Sequence, residues 1–282
     1  MMSFQKIPFI TILGFLLIFA CADEIQIHPE EEDWSFVAFG DVRNGYGIYA
    51  HFASTISKLE PTPKFAICLG DIVLRGGNEA VWENFWRRSK PLTDKMPLYF
   101  ARGNHEENDE ASNLVFSEQT GILPDRFYYS FSWSSSFFII LDSFIKGEEN
   151  SIGTRQFKWL NTQLDSVSAL SQIMNVFVFL HHPVFPQGKY RNTNMNNAEE
   201  VHNLFKLHPK IKAVIVGHDH LFNKYIKDDI TYITSGGGGS PLHHGSGGNY
   251  YHFLKISFYE KDNRINVKTF GLFNEINEDF DL

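Results

Sequence analysis

Five short apolar runs, each closing on a small group of polar side chains, constrain the fold of this 282-residue chain more than any other feature. They are SFVAFG (35–40), KFAICLG (64–70), PLYFARG (97–103), NVFVFL (175–180) and IKAVIVG (211–217). Each is too short for a buried helix, rich in β-formers and bounded by turn residues, so each reads as a buried strand. Stretches with helical period lie at 49–59, 79–88, 154–166 and 198–207. Strand–helix alternation of this kind builds an α/β sheet whose faces the helices cover. The blocks 127–143, 224–236 and 250–268 lack helical period and read as hairpins at the sheet edges. Hydrophobic residues make up 43% of the chain, enough for a large core. No fixed-period repeat or Pro/Ser linker divides it, so 35–282 reads as one domain.

The polar groups at the strand ends are Gly40-Asp41, Gly70-Asp71, Gly103-Asn104-His105-Glu106, His181-His182-Pro183 and Gly217-His218-Asp219-His220. Any one alone is an ordinary turn or surface feature. Ligands of open α/β sheets bind beyond the carboxyl ends of the strands, however, so five such groups are expected to converge on one site. Glycines before them let the chain turn sharply and come close to an ion. The run Gly236–Gly239, followed by SPLHH, reads either as backbone approaching a bound phosphate, with His243 or His244 contributing, or as a mobile surface loop. His182 reads as a substrate contact or as a supporting or solvent-facing histidine. Trp82, Phe85 and Trp86 at helical spacing read as core, and Asp142 as a strand-end cap or a support for a ligand histidine.

In order, the set GD, GD, GNHE, HHP, GHDH resembles the calcineurin-like metallophosphoesterase superfamily, of which purple acid phosphatases are one branch. The resemblance runs from Asp41 to His220 and implies a four-layer α/β/β/α sandwich of two mixed sheets flanked by helices. It also implies two metal ions, divalent or trivalent, of Mn, Zn or Fe. Asp71 would bridge them, Asn104, His181 and His218 would complete one, and Asp41 and His220 would hold the other. His105 would be the catalytic group at the leaving oxygen. The residue types suit that chemistry: a carboxylate can bridge two cations, imidazoles favour these metals, and an amide oxygen is a neutral donor that keeps the centre Lewis acidic. Metals ~3.5–4 Å apart activate a shared water, whose hydroxide attacks phosphorus in line.

Two positions depart from the family pattern. A histidine is usual two residues after the first aspartate, but Arg43 stands there and cannot ligate. The tyrosinate of the purple acid phosphatases would fall at position 74, which is leucine. On this reading the metal near Asp41 lacks one protein ligand and binds more weakly. Arg43 either grips substrate phosphate as a bidentate cation, joining His105 in catalysis, or pairs with a neighbouring carboxylate.

Before the first strand, Lys6 precedes the apolar stretch PFITILGFLLIFA, which fits a signal-peptide core and falls short of the ~20 residues of a membrane span. Its end, LIFAC, resembles a bacterial lipoprotein signal with Cys21 as the lipidated residue, and cleavage after Ala22 with plain secretion is the alternative. Residues 1–21 are thus expected to be a signal peptide and 22–34 an acidic tether. Cys68, in an apolar run, reads as a free buried thiol. A formal charge of -8 without a basic cluster disfavours nucleic acid as partner. The expected activity is that of an exported, membrane-anchored (periplasmic or cell-surface) binuclear phosphoesterase acting on phosphate mono- or diesters. The rival reading is a surface binding protein on the same scaffold, weakened in catalysis by its altered first metal site.

Overall fold

The computed structural model describes residues 34–124, 126–187, 195–244 and 247–282. The expected signal peptide, Cys21 and nearly all of the tether lie outside the described residues. Twelve strands are arranged in two six-stranded mixed sheets. The first holds β1 (Trp34–Phe39), β2 (Ala66–Cys68), β3 (Leu98–Phe100), β10 (Phe253–Tyr259), β11 (Arg264–Phe270) and β12 (Ile276–Asp281), in the order β12-β11-β10-β1-β2-β3. The second holds β4 (Tyr129–Trp133), β5 (Ser136–Ile140), β6 (Asn175–Leu180), β7 (Ile211–Val216), β8 (Phe222–Lys227) and β9 (Ile230–Ser235), in the order β4-β5-β6-β7-β9-β8. Trp34, which the sequence reading left in the tether, is instead the first residue of β1 and stacks on Phe258 with ring centroids 3.9 Å apart.

Strands at the centre of each sheet are apolar at every position because both of their faces are buried. In β1, Trp34, Phe36 and Ala38 face the other sheet, meeting Phe138, Phe177 and Phe179, while Val37 and Phe39 face helices. Those helices are α1 (Tyr46–Ile56), α2 (Glu79–Thr93) and α3 (Glu110–Thr120). On the far side of the second sheet, α4 (Thr154–Ser168) and α5 (Ala198–Lys206) cover Val176, Val178 and Leu180 of β6. Helix, sheet, sheet and helix form the four layers that the resemblance implied. Trp82 and Phe85 lie fully in the core, Trp86 is half-buried, and Cys68 is free and buried, as read.

Three expectations need correction. The segment 105–126, read as a loop, contains α3, whose start Asp109 caps by accepting from Ser112 N–H (3.1 Å) and whose end is Gly121 in the left-handed conformation (φ 75°). The last hairpin extends by a third strand, β12, whose acidic sequence hides it. Asp142 is not a simple cap: fully buried, it takes two hydrogen bonds from the Arg102 guanidinium (3.3 and 2.6 Å) and one from Phe144 N–H.

Parallel pairing β1–β2–β3 brings the carboxyl ends of these strands together, and β5–β6–β7–β9 does the same in the second sheet. The polar groups follow those ends, so the topology itself delivers them to one edge of the sandwich.

Candidate metal centre

Asp41, directly after β1, is fully buried and sits at φ 61°. Asp71 and His218, in the turns after β2 and β7, also have positive φ, at 51° and 67°. Three non-glycine residues in the left-handed region, all bearing candidate ligands, mark backbone strain held at a site. Gly70, itself at φ 90°, has no room for a side chain: a Cβ there would lie 2.7 Å from His181 Nδ1 and from Gly103 N. Close approach of these turns is therefore built into the sequence.

Four donors meet on one side of Asp71. His181 Nε2 lies 3.1 Å from Asn104 Oδ1, 3.2 Å from His218 Nδ1 and 3.4 Å from Asp71 Oδ1, and Asn104 Oδ1 is 3.1 Å from His218 Nδ1. Ligands arranged tetrahedrally around an ion at Zn–N bond lengths stand ~3.3 Å from one another, so this cluster has the edge lengths of a coordination shell. His181 gives its Nδ1–H to the Leu69 carbonyl (2.8 Å), which leaves the Nε2 lone pair aimed into the cluster. Burial, reinforced by neighbouring histidines, holds the pKa of His218 well below its usual value. The imidazole stays in the neutral form that a metal requires. For Asp71, burial opposes ionisation, but the charges of His181, His105 and Arg43 outweigh it and keep the carboxylate charged. The residues on this side fit a metal ion.

On the other side stand Asp41, His220 and the second oxygen of Asp71. Asp41 Oδ2 accepts from His218 N–H (2.9 Å), while Oδ1, buried and with no hydrogen-bond partner, lies 3.4 Å from His220 Nε2. His220 is fixed by Nδ1–H donation to the Pro241 carbonyl (2.7 Å). Arg43 enters here: its Nε donates to Asp71 Oδ2 at 3.0 Å, and its Nη2 lies 3.5 Å from His220 Nε2. Of the two roles read for Arg43, carboxylate pairing is the one present in this geometry.

His105 lies beside Asn104, its N–H donating to Asp71 Oδ1 (3.0 Å) and its ring Nδ1 hydrogen-bonded to the Leu74 carbonyl (3.0 Å). Leu74 is 42% exposed and offers the centre no ligand side chain. His182 is buried, bonds Ser143 Oγ through Nδ1 (2.9 Å) and is pushed by burial and by His181 down to about 3, so it is a neutral wall of the site. The glycine run approaches closely: Gly238 N–H donates to Gly40 O and Ser240 N–H to Asp41 O (2.7 Å). Beyond it, His243 stacks on His220 at 4.1 Å, whereas His244 is exposed.

One residue of the GNHE group carries a role that spacing could not disclose. Glu106, fully buried, accepts from the backbone N–H groups of Asp71 (2.9 Å), Ile72 (2.7 Å), Val73 (3.1 Å) and Gly103 (2.7 Å). Its carboxylate clamps the turn after β2 to the turn after β3. Burial and the nearby Asp71 charge push its pKa up, against the pull of these donors. Its place inside GNHE was the only sequence signal.

The model of the family described as calcineurin-like phosphoesterase matches residues 33–222, about two thirds of the chain. Purple acid phosphatase 23 of Arabidopsis thaliana is 26% identical over 234 residues, covering 76% of this chain and 48% of that protein. Serine/threonine-protein phosphatase CPPED1 of Rattus norvegicus is 28% identical over 182 residues, covering 58% of this chain and 56% of its own length. The chain thus spans about half the length of the curated relatives it matches. Among solved structures, the purple acid phosphatase PPD1 of yellow lupin (Lupinus luteus) superposes with a TM-score of 0.76 at 14% identity, over 90% of this chain and 54% of the other, which establishes the shared fold. With a family match over most of its length, the fold of that family and its ordered strand-end residues, this chain belongs to the calcineurin-like phosphoesterase family.

Proposed function

We propose that the chain is a metal-dependent phosphoesterase. The single observation that carries this reading is the cluster of Asn104 Oδ1, His181 Nε2, His218 Nδ1 and Asp71 Oδ1, with edges of 3.1–3.4 Å and an imidazole lone pair directed inward. A metal ion held there supplies an activated water at neutral pH and a charge to polarise the phosphoryl group. The chain's own residues do the rest. Asp71 and Asn104 set the position of the centre through the Glu106 clamp and the strand ends. Because His105 spends Nδ1 on the Leu74 carbonyl, its Nε2 is left to hand a proton to the departing alkoxide. Relatives named as phosphatases support phosphate esters as the substrate class. Completeness of the Asn104 side counts against the rival reading of a binding protein that has lost turnover.

The test is hydrolysis of a panel of phosphate mono- and diesters by protein stripped with chelator and reloaded separately with Mn, Zn or Fe, beside Asn104→Ala. Activity is expected to vanish on stripping, return with metal, and fall in Asn104→Ala together with metal content. Undiminished turnover in strong chelator would overturn the reading. We further propose export, on the strength of the apolar stretch after Lys6, with Cys21 carrying lipid. The mass of the N-terminal peptide decides: an acylated Cys21 supports anchoring, and an unmodified Asp23 terminus refutes it.

A further inference from the structure

We propose that the Arg43 guanidinium stands in for the second metal ion of this family's centre. The resting protein then holds one metal, on Asn104, His181, His218 and Asp71, beside a fixed organic cation. This rests on the metal-centre reading above and adds how many ions the centre takes.

Placement of Arg43 is tightly determined. Val42 N–H and Arg43 N–H both donate to the Asp71 carbonyl (3.1 Å each), so the backbone of residue 43 is tied to the turn that carries the shared carboxylate. From there the side chain, only 16% exposed, reaches Asp71 Oδ2 with Nε and His220 with Nη2. His220 has given its ring hydrogen to Pro241, so Nε2 presents a lone pair to that N–H. A second ion would draw on three donors here: Asp41 Oδ1, Asp71 Oδ2 and His220 Nε2. Two of the three already face the guanidinium. Arginine keeps its proton at any physiological pH and has no lone pair to offer, so it occupies the site without serving an ion. An ion bonded to Asp71 Oδ2 would also lie within a few ångströms of a like charge in a largely desolvated space.

Charge balance points the same way. Two divalent ions and Arg43 would set five positive charges against the carboxylates of Asp41 and Asp71. One divalent ion and Arg43 leave a net charge of one, which a phosphate ester dianion more than offsets. Asp41, one oxygen fixed by His218 N–H and the other without a hydrogen bond, then acts as the counter-charge to the guanidinium. The arginine is also suited to meet phosphoryl oxygens bidentately, the task the missing ion would share.

The experiment is a metal count by elemental analysis after Mn²⁺ loading and desalting, read with Mn²⁺ electron paramagnetic resonance, on wild type, Arg43→His and Arg43→Gln. Wild type is expected to retain one Mn per chain with the signal of an isolated ion. Arg43→His is expected to retain two with an exchange-coupled spectrum, and Arg43→Gln to bind the second at least tenfold more tightly than wild type. Two coupled ions in wild type would overturn the proposal while leaving the metal-centre reading intact. No retained ion in wild type would overturn both. A folded Arg43→His that still holds one ion would show that Arg43 is not what excludes the second, and overturns the proposal too. Should either variant fail to fold, the wild-type count and spectrum decide alone.

Discussion

His105 is held from two directions, by its N–H on Asp71 and its ring on the Leu74 carbonyl, so only one ring nitrogen is left for proton transfer. Replacing it by alanine keeps the backbone hydrogen bond and removes the acid. His105→Ala is therefore expected to lose ~10²–10⁴-fold in kcat on alkyl phosphates, less on esters with acidic leaving groups, with metal content unchanged. An equal loss for every leaving group, or none, would contradict the role. At this scale Asp41, Asp71, Asn104, His105, His181, His218 and His220 were legible in the sequence, because a glycine or a short apolar run announces each one. The partner of Arg43 was not. Whether a guanidinium meets phosphate or Asp71 depends on backbone hydrogen bonds from residues 42 and 43 to residue 71, which no spacing encodes. Positive φ at Asp41, Asp71 and His218 was equally invisible, since these are not residues whose identity demands it.

Between elements, Glu106 is the joint. It takes four backbone N–H groups from the turns after β2 and β3, and through them it holds Asp71 in register with Asn104. Glu106→Gln puts an amide NH₂ against donors that need an acceptor, leaving at least one buried N–H unpaired at ~1–3 kcal/mol. The expected outcome is a thermal midpoint several degrees lower in metal-free protein, and weaker metal binding, both measured on the purified variant. A variant matching wild type in both would show that the clamp is not needed. The strands and four of the helices could be read from periodicity because their apolar faces are long and regular. Helix α3 escaped because it buries little beyond Ser112 and Phe116, so its pattern is faint and only its caps, Asp109 and Gly121, give it away. Strand β12 escaped because an exposed edge strand with Glu278, Asp279 and Asp281 has no apolar run at all.

Over the whole molecule, two aromatic-rich sheets lock together so that parallel strands from both end at one edge, and everything chemical follows from that edge. Phe36 touches Phe65, Phe138, Phe177, Phe179 and Phe258 across the sheet interface, with ring centroids 5.2–6.1 Å apart, fixing the sheets against each other and with them Asp71 against His181 and His218. The layered fold was legible as soon as the ordered strand-end groups were recognised; the number of ions at their meeting point was not, because it turns on one guanidinium. The most direct measurement is the initial rate of p-nitrophenyl phosphate hydrolysis as Mn²⁺ is titrated into metal-free protein at a concentration well above its dissociation constant. The rate is predicted to start at zero, climb linearly and break to a plateau at one equivalent per chain; hydrolysis by the metal-free protein in excess chelator would contradict the account.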